Sequence, residues 1–350
     1  MDLNLLGWSS FFKESFEPFL KRGYSAGRIS EEHKHLYHVL TECGELLAKV
    51  SGKLLHDSKN RSELPAVGDW VALSVRPAEG TATIHAILPR LSKFTRKIAG
   101  KTTEEQVIAA NINTIFLVNG LDNDFNPRRI ERYLTLAWES GANPVIVLNK
   151  ADVCDGIAQR VALAETVALG VPIHVVSAVT GQGLEELSTY LTGGITVAFL
   201  GSSGTGKSTL INALLGKAVQ EVSEVRQGDD RGRHTTTFRK LIVLPCAGIV
   251  IDTPGLRELQ LWGSDEGLSG AFGDIEPFAE HCRFADCRHE NEPGCAVRKA
   301  LEEGYIDINR YESYLKLQSE LAYLADKKEY LERKEKLERH YKLTYRNRFK

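Results

Sequence analysis

The chain has 350 residues, of which 42% are hydrophobic and 26% charged; such a composition can bury real cores and excludes a disordered or fibrous protein. At roughly 100 to 200 residues per domain, two or three domains are expected. Lys plus Arg number 44 against 46 Asp plus Glu, and the formal charge of -2 argues against a nucleic-acid partner only if the cations are evenly spread. Six cysteines are too few for a disulfide scaffold, and Cys282, Cys287 and Cys295 crowd into one short stretch, so a reduced, cytoplasmic setting fits best. Asp2 stands where a signal peptide would carry Lys or Arg, and no apolar run reaches the roughly 20 residues of a spanning helix. Neither secretion nor a membrane anchor is expected.

From about Tyr37 to Pro89 short strands alternate with turns: Glu45 to Val50, Trp70 to Val75 after Val67-Gly68-Asp69, and Thr83 to Leu88 after Glu79-Gly80. Closely spaced strands with glycine turns predict a small β-barrel. Arg90 to Lys101 then carries Arg90, Lys93, Arg96, Lys97 and Lys101 without an acidic residue, either as a solvated linker or as a phosphate-contacting arm. After Glu105, apolar runs of strand length (Ile112 to Val118, Val145 to Leu148, Ile173 to Val176, Ile195 to Leu200, Leu241 to Leu244, Ile249 to Ile251) alternate with helix-like stretches such as Arg128 to Glu139 and Ile157 to Ala168. That alternation predicts a mostly parallel sheet covered by helices on both faces. From Glu276 onward the strands stop. A Cys/His cluster follows, and then a helical region from about Ile308 with Leu315, Leu321, Leu324 and Leu331 as a broken apolar stripe.

Gly201-Ser202-Ser203-Gly204-Thr205-Gly206-Lys207-Ser208 follows the Ile195 to Leu200 strand and leads into the helix-like segment from Thr209. It matches the G-x-x-x-x-G-K-[ST] phosphate loop in its strand-to-helix setting. Glycines let backbone N–H groups and the helix N-terminus approach a polyphosphate; Lys207 is expected to reach the β- and γ-phosphates, and the Ser208 hydroxyl to bind Mg²⁺. The loop alone would suit an ATPase, a kinase or a GTPase.

Asn149-Lys150-Ala151-Asp152, at the end of the Val145 to Leu148 strand, resembles the N-K-x-D guanine motif, in which the carboxylate accepts from N1–H and the N2 amine. Adenine offers neither donor, and an Asp152 left unpaired would cost about 1–3 kcal/mol. Ser177-Ala178 ends another apolar strand and resembles the GTPase segment whose backbone N–H meets guanine O6. Asp252-Thr253-Pro254-Gly255 follows the Ile249 to Ile251 strand; Asp252 would hold Mg²⁺ and the Gly255 N–H would sense the γ-phosphate. Arg233-His234-Thr235-Thr236-Thr237, after Gly228 to Gly232, suits a switch that orders on Mg²⁺-GTP, with Thr236 as the first choice of magnesium ligand and Thr235 and Thr237 as alternatives. The guanine motifs precede the phosphate loop, the reverse of the ordinary order, so a circularly permuted GTPase is expected; a parallel sheet tolerates new chain ends on its surface.

Cys282-x4-Cys287-x-His289-x5-Cys295 supplies three thiolates and one imidazole, a closed tetrahedral set for a structural Zn²⁺. His281 is a less suitable substitute, and Cys43, Cys154 and Cys246 are expected to be small core residues. Residues 326 to 350 hold ten Lys/Arg against five Asp/Glu, which leaves -7 for the first 325 residues. Basic residues interleaved with Tyr341, Tyr345 and Phe349 suit RNA, although a solubilising helical tail has the same composition.

Together these residues resemble the bacterial ribosome-small-subunit-dependent GTPase A (RsgA or YjeQ) family. The matching pieces are Gly68-Asp69-Trp70-Val71, Gln106-Val107-Ile108-Ala109-Ala110-Asn111, the permuted motif order, Gly232 to Thr237, and Cys282-Arg283-Phe284 through Glu292-Pro293-Gly294-Cys295. The resemblance implies a multidomain α/β protein: a leader over 1–30, an oligonucleotide-binding (OB) barrel over 31–95, a permuted P-loop GTPase domain over 104–262, and a zinc domain with a basic helical tail over 263–350. It implies a monomer that binds the 30S subunit and 16S rRNA, acts in late 30S maturation and turns GTP into GDP with stimulation by the subunit. Leu256 stands where many GTPases carry a water-positioning glutamine, and an apolar side chain cannot orient water. His234 is the candidate for that role, in line with the family. The alternative is a GTP-gated rRNA-binding assembly factor in which hydrolysis is incidental. The leader from Met1 to Ala26 matches no part of the family pattern.

Overall fold

The computed structural model describes residues 1–34, 36–97, 105–216, 239–244, 248–252, 265–289 and 291–323. His234, Thr236, Gly255, Leu256, Cys246, Lys101 and the basic tail lie outside the described residues.

A short 3₁₀ turn (Leu3–Leu6) and helix α1 (Ser10–Leu20) precede strands β1 (Ser25–His33), β2 (Leu36–Thr41) and β3 (Gly44–Val50), helix α2 (Gly52–Asp57), and strands β4 (Trp70–Arg76) and β5 (Thr81–Ile87). The five strands close in the order β1-β2-β3-β5-β4-β1, with β3 and β5 parallel and every other pair antiparallel. Alternate residues Val39, Leu46, Ala48, Val71, Leu73 and Ile84 point inward and fill the barrel, so period-2 patterning becomes a core. The expected boundary at residue 31 falls inside β1. That strand carries one large aliphatic residue, Ile29, and so has no readable alternation. Its Gly27 is required by packing, because a Cβ there would lie 2.6 Å from Val39 Cγ1 and 2.7 Å from Leu73 Cδ1.

The leader belongs to the barrel's packing. Trp8 and Phe12 lie against Trp70, with ring centroids 4.6 and 5.8 Å away, and Phe12 and Phe16 are buried. Each phenylalanine buried in this way contributes about 1.5–3 kcal/mol.

The GTPase region opens with a hairpin of β6 (Lys93–Lys97) and β7 (Glu105–Ala110), the latter a strand that the sequence pattern does not announce. There follow β8 (Thr114–Gly120), α3 (Pro127–Ser140), β9 (Asn143–Asn149), α4 (Ile157–Glu165), β10 (Ile173–Val175), α5 (Leu184–Ser188), β11 (Thr196–Leu200), α6 (Lys207–Leu215), β12 (Lys240–Val243) and β13 (Ile249–Asp252). The strand order is β10-β9-β8-β11-β13-β12, parallel throughout except for β12 against β13. Both faces are covered, which is why these strands read as unbroken apolar runs. Ile115, Leu117, Ile146 and Leu148 pack toward Ile130 and Leu134 of α3, while Phe116, Val118, Val145 and Val147 pack toward Leu210 and Ile211 of α6. The phosphate-loop strand β11 is central although it comes late in the chain, as a permuted order requires. Glu31 of β1 pairs with Lys240 of β12 and joins barrel to sheet.

The C-terminal region contains α7 (Asp265–Ala271), α8 (Glu276–Ala279), α9 (Ala296–Glu302) and a helix over 308–323, here α10. It docks on α3. A Cβ on Gly267 would sit 2.6 Å from Thr135 O, and one on Gly270 2.8 Å from Trp138 Cγ, so small residues set this helix approach. Arg310 is buried beneath it, bonding Asp274 (2.7 and 2.9 Å) and Glu131 (3.0 Å). Arg132 forms a fork with Glu320 at 2.7 and 2.8 Å. Cys43 departs from the expected core position: it is exposed, because it falls in the two-residue link between β2 and β3. Cys154 is half-buried and accepts from Arg160 Nη1 at 3.2 Å.

Candidate functional site

Three loops meet at the C-terminal edge of the GTPase sheet, and buried Asn149 ties them together. Its Nδ2 donates to Thr205 O in the phosphate loop at 2.9 Å, and its Oδ1 accepts from Ala178 N at 3.0 Å. Asp152 Oδ1 accepts from Ser177 Oγ at 2.5 Å, and Ser177 Oγ also accepts from Thr180 N at 3.1 Å. Lys150 has a left-handed φ of 69° and turns away to Asp122, 2.5 Å from Oδ2; this ion pair holds the Asp122 carboxyl below its usual range despite partial burial. Ala151 N bonds Val176 O at 3.1 Å. The sequence motifs at 149–152 and 177–178 are thus one hydrogen-bonded unit.

Gly201, Ser202, Ser203, Gly204, Thr205, Gly206, Lys207, Ser208 and Thr209 run from the end of β11 into α6. A Cβ on Gly201 would lie 2.3 Å from Val118 O and one on Gly206 2.5 Å from Asn149 Nδ2, while Gly204 and Gly206 have φ of 80° and 85°. Only glycine fits this path. The first turn of α6 has no side-chain cap, so its N–H groups remain able to bind an anion. Lys207 Nζ lies on the loop's own carbonyls, 2.8 Å from Gly201 O and 2.5 Å from Ser202 O.

Asp252 ends β13. Ile251 is in register with Ala198 of β11, which puts Asp252 on the strand adjoining the one that leads into the phosphate loop. The expected switch residues His234, Thr236 and Gly255 lie outside the described residues, as do Thr235 and Thr237. Tyr133 belongs to no motif, yet its hydroxyl lies 3.2 Å from Ser202 Oγ. Its position on the α3 face toward the loop, three residues after buried Ile130, was the available signal.

Arg90 is not the solvated or phosphate-contacting cation that its basic neighbourhood allows. It forks onto buried Asp69 at 2.8 and 2.7 Å and donates to Ser62 O and Leu64 O at 2.8 and 3.0 Å. Beside it, buried Arg28 donates to Gly68 O (3.2 Å), Leu6 O (2.5 Å) and Asn111 O (3.0 Å). Asn111, at φ 57°, donates from Nδ2 to Gly68 O (3.1 Å) and accepts from Leu91 N (2.9 Å). Gly68, at φ 90°, would place a Cβ 2.1 Å from Ala110 O. The Gly68-Asp69-Trp70 and Gln106 to Asn111 segments therefore build the joint between leader, barrel and sheet. Lys93 is paired with Glu105 at 3.2 Å.

The second cluster is Cys282, Cys287, His289 and Cys295, whose ligand atoms all lie within 4.8 Å of one another. Cys282 Sγ and Cys295 Sγ are 3.9 Å apart, and each is 3.5 Å from His289 Nδ1. Tetrahedral zinc with its usual bond lengths requires S–S and S–N separations of about 3.8 and about 3.5 Å, so the donor set fits one Zn²⁺. His289 takes φ 63° to turn inward, and burial holds its imidazole below the usual pKa, favouring the neutral ligand form. Tyr311 Oη donates to His289 O, which fastens the cluster to α10. His281 instead bonds Pro277 O at 2.7 Å.

A family model described as RsgA GTPase matches residues 87–262, and one described as 50S ribosome-binding GTPase matches residues 196–340. The chain is 49% identical over 334 residues to the small ribosomal subunit biogenesis GTPase RsgA of Opitutus terrae, covering 93% of this chain and 91% of that protein. It is 48% identical over 323 residues to RsgA 2 of Lactiplantibacillus plantarum, covering 92% and 91%. Among solved structures, YjeQ from Thermotoga maritima superposes with a TM-score of 0.65 at 30% identity, over 85% of this chain and 99% of that one. YloQ, described as a circularly permuted GTPase, shares the fold with a TM-score of 0.63 at 22% identity, over 87% and 96%. The family model spans half of the chain and the Opitutus terrae relative 93% of it, and the chain belongs to the RsgA GTPase family as a circularly permuted GTP hydrolase.

Proposed function

We propose that this GTPase binds the 30S subunit through 16S rRNA, acts in late 30S maturation as a cytoplasmic monomer, and hydrolyses GTP to GDP with stimulation by the subunit. The observation that carries the nucleotide part is Asn149, which joins the 149–152 turn, the 177–178 turn and the phosphate loop in one buried network. The relatives named as small-subunit biogenesis GTPases support the ribosomal part.

In this reading Asp152, braced by Ser177, accepts from guanine N1–H and N2, and the Ala178 N–H side of the pocket faces O6. Asn149, Lys150 and Ala151 hold the base pocket in shape. Backbone N–H groups of 201–209 surround the phosphates, with Lys207 moving from its own loop carbonyls to the β- and γ-phosphates. Ser208, Asp252 and Thr236 would hold Mg²⁺, which supplies charge neutralisation at the phosphates when bound. The Gly255 N–H senses the γ-phosphate, and His234 orients the attacking water where Leu256 cannot. Cys282, Cys287, His289 and Cys295 hold a structural zinc beside α10, so the C-terminal domain keeps its shape while the switches move. The cationic tail supplies phosphate contacts that the net charge conceals.

Leu256 favours a second reading, a GTP-gated rRNA-binding factor whose turnover is incidental. Sedimentation with small subunits in a non-hydrolysable GTP analogue against GDP tests the shared part of both: retention in the analogue only is expected, and equal retention in both nucleotides would exclude gating. A His234→Ala chain tests the catalytic assignment, with subunit-stimulated turnover expected to fall at least about 100-fold and wild-type turnover counting against it.

A further inference from the structure

On the outer face of the barrel, β1 and β2 gather donors that neither the nucleotide site nor the zinc cluster uses. Ile29 pairs with Val39, and both are buried in the barrel. Strict alternation would then put Glu31 opposite Tyr37. Instead the register shifts after Ile29 and Glu31 pairs with His38. The additional residue, Ser30, is a bulge that turns Glu31 and His33 outward onto the face bearing His38.

The three side chains converge. One donor atom from each of Glu31, His33 and His38 lies within 4.8 Å of the others; His33 Nε2 is 3.1 Å from Glu31 Oε2, and the two imidazole rings are 5.5 Å apart. Two of the three ligands also have a partner at their other polar atom. Glu45 on β3 lies 2.8 Å from His38 Nδ1, which leaves Nε2 for a ligand role, and Lys240 on β12 lies 2.6 Å from Glu31 Oε1, which leaves Oε2. Carboxylate and ammonium partners of this kind orient metal ligands.

We propose that Glu31, His33 and His38 form a second metal site, specific for first-row divalent ions that accept imidazole. Two imidazoles and one carboxylate suit Zn²⁺, Ni²⁺ or Cu²⁺ rather than Mg²⁺ or Ca²⁺. All three residues are partly exposed, so water completes the coordination, and the site is weaker than the closed thiolate cluster. It sits on the Glu31–Lys240 pairing through which β12 joins the barrel.

The test uses the full chain without an affinity tag, carrying one zinc per chain by elemental analysis, titrated with Zn²⁺ against a chromophoric chelator. A second, weaker equivalent is expected. Combined His33→Gln and His38→Gln substitution should abolish it while leaving the first equivalent, the circular dichroism spectrum and the melting temperature unchanged. Glu45→Gln should weaken it by about 10- to 100-fold. With Co²⁺ as the probe, the second equivalent should lack the intense sulfur-to-cobalt absorption of the cysteine cluster, which separates it from incomplete loading of that cluster. No second equivalent in the wild type, or one that survives undiminished in the folded double variant, overturns the proposal.

Discussion

At the C-terminal ends of β9, β10 and β11, Asn149, Asp152 and Ser177 join three loops by hydrogen bonds, and the first N–H groups of α6 have no side-chain cap. Where leader, barrel and sheet meet, Arg28 donates to three carbonyls from three different segments, and Asp69 is forked by Arg90 and bonded by Ala66 N at 2.8 Å. Both regions are polar, but only Asn149 and Ser177 of the first are buried while Asp152 is exposed, whereas Arg28 and Asp69 of the second are both buried. The first keeps donors available for a ligand, whereas the second satisfies its charges within the chain. A buried charge whose partner is removed is expensive, but a ligand-facing donor can be removed with little effect on folding. The two regions should therefore fail in different ways when substituted.

The largest effect is expected at the joint. Arg90→Ala leaves the Asp69 carboxylate, 0% exposed, without its fork and should lower unfolding free energy by about 3–5 kcal/mol, measured by urea denaturation. Arg90→Lys should recover only part of it, because an ammonium cannot reproduce the fork. An Arg90→Ala chain as stable as wild type would remove the distinction between the regions. Next in size, Lys207→Ala should reduce GTP hydrolysis by about 100- to 1,000-fold with an unchanged melting temperature; a matching loss of stability would mean that the loop contacts of Lys207 serve the fold. Asp152→Asn should weaken GTP binding by about 1–3 kcal/mol in a calorimetric titration and reduce discrimination against ATP. The smallest effect is expected from Tyr133→Phe, which loses only the contact to Ser202. A change of about 0.5–1.5 kcal/mol in nucleotide affinity, with little change in denaturation midpoint, would place Tyr133 with the ligand-facing edge.

The same contrast explains which parts of the molecule are legible in its sequence. Base and phosphate chemistry demands particular residue types at strand ends, so 149–152, 177–178 and 201–208 stand out in a linear chain, and the cysteine spacing specifies a tetrahedral donor set. The six apolar runs from Ile112 to Ile251 all become strands, because a doubly covered parallel sheet leaves an unbroken apolar signal. The joint has no such signature. β1 carries one large aliphatic residue, Ile29, too few to show an alternation; Arg90 sits among basic residues and resembles a surface cation; and Trp8 and Phe12 are recognisable only once Trp70 is known to face them. Cys43 shows the limit of residue type as a guide to burial, since turn geometry overrides it.

The central claim is that this permuted GTPase works on the small ribosomal subunit, and the rate of GTP hydrolysis by the full chain with and without purified 30S subunits tests it most directly. Slow turnover alone, a many-fold rise with 30S subunits, and no rise with 50S subunits or transfer RNA are expected. Equal rates with and without 30S subunits would contradict the account.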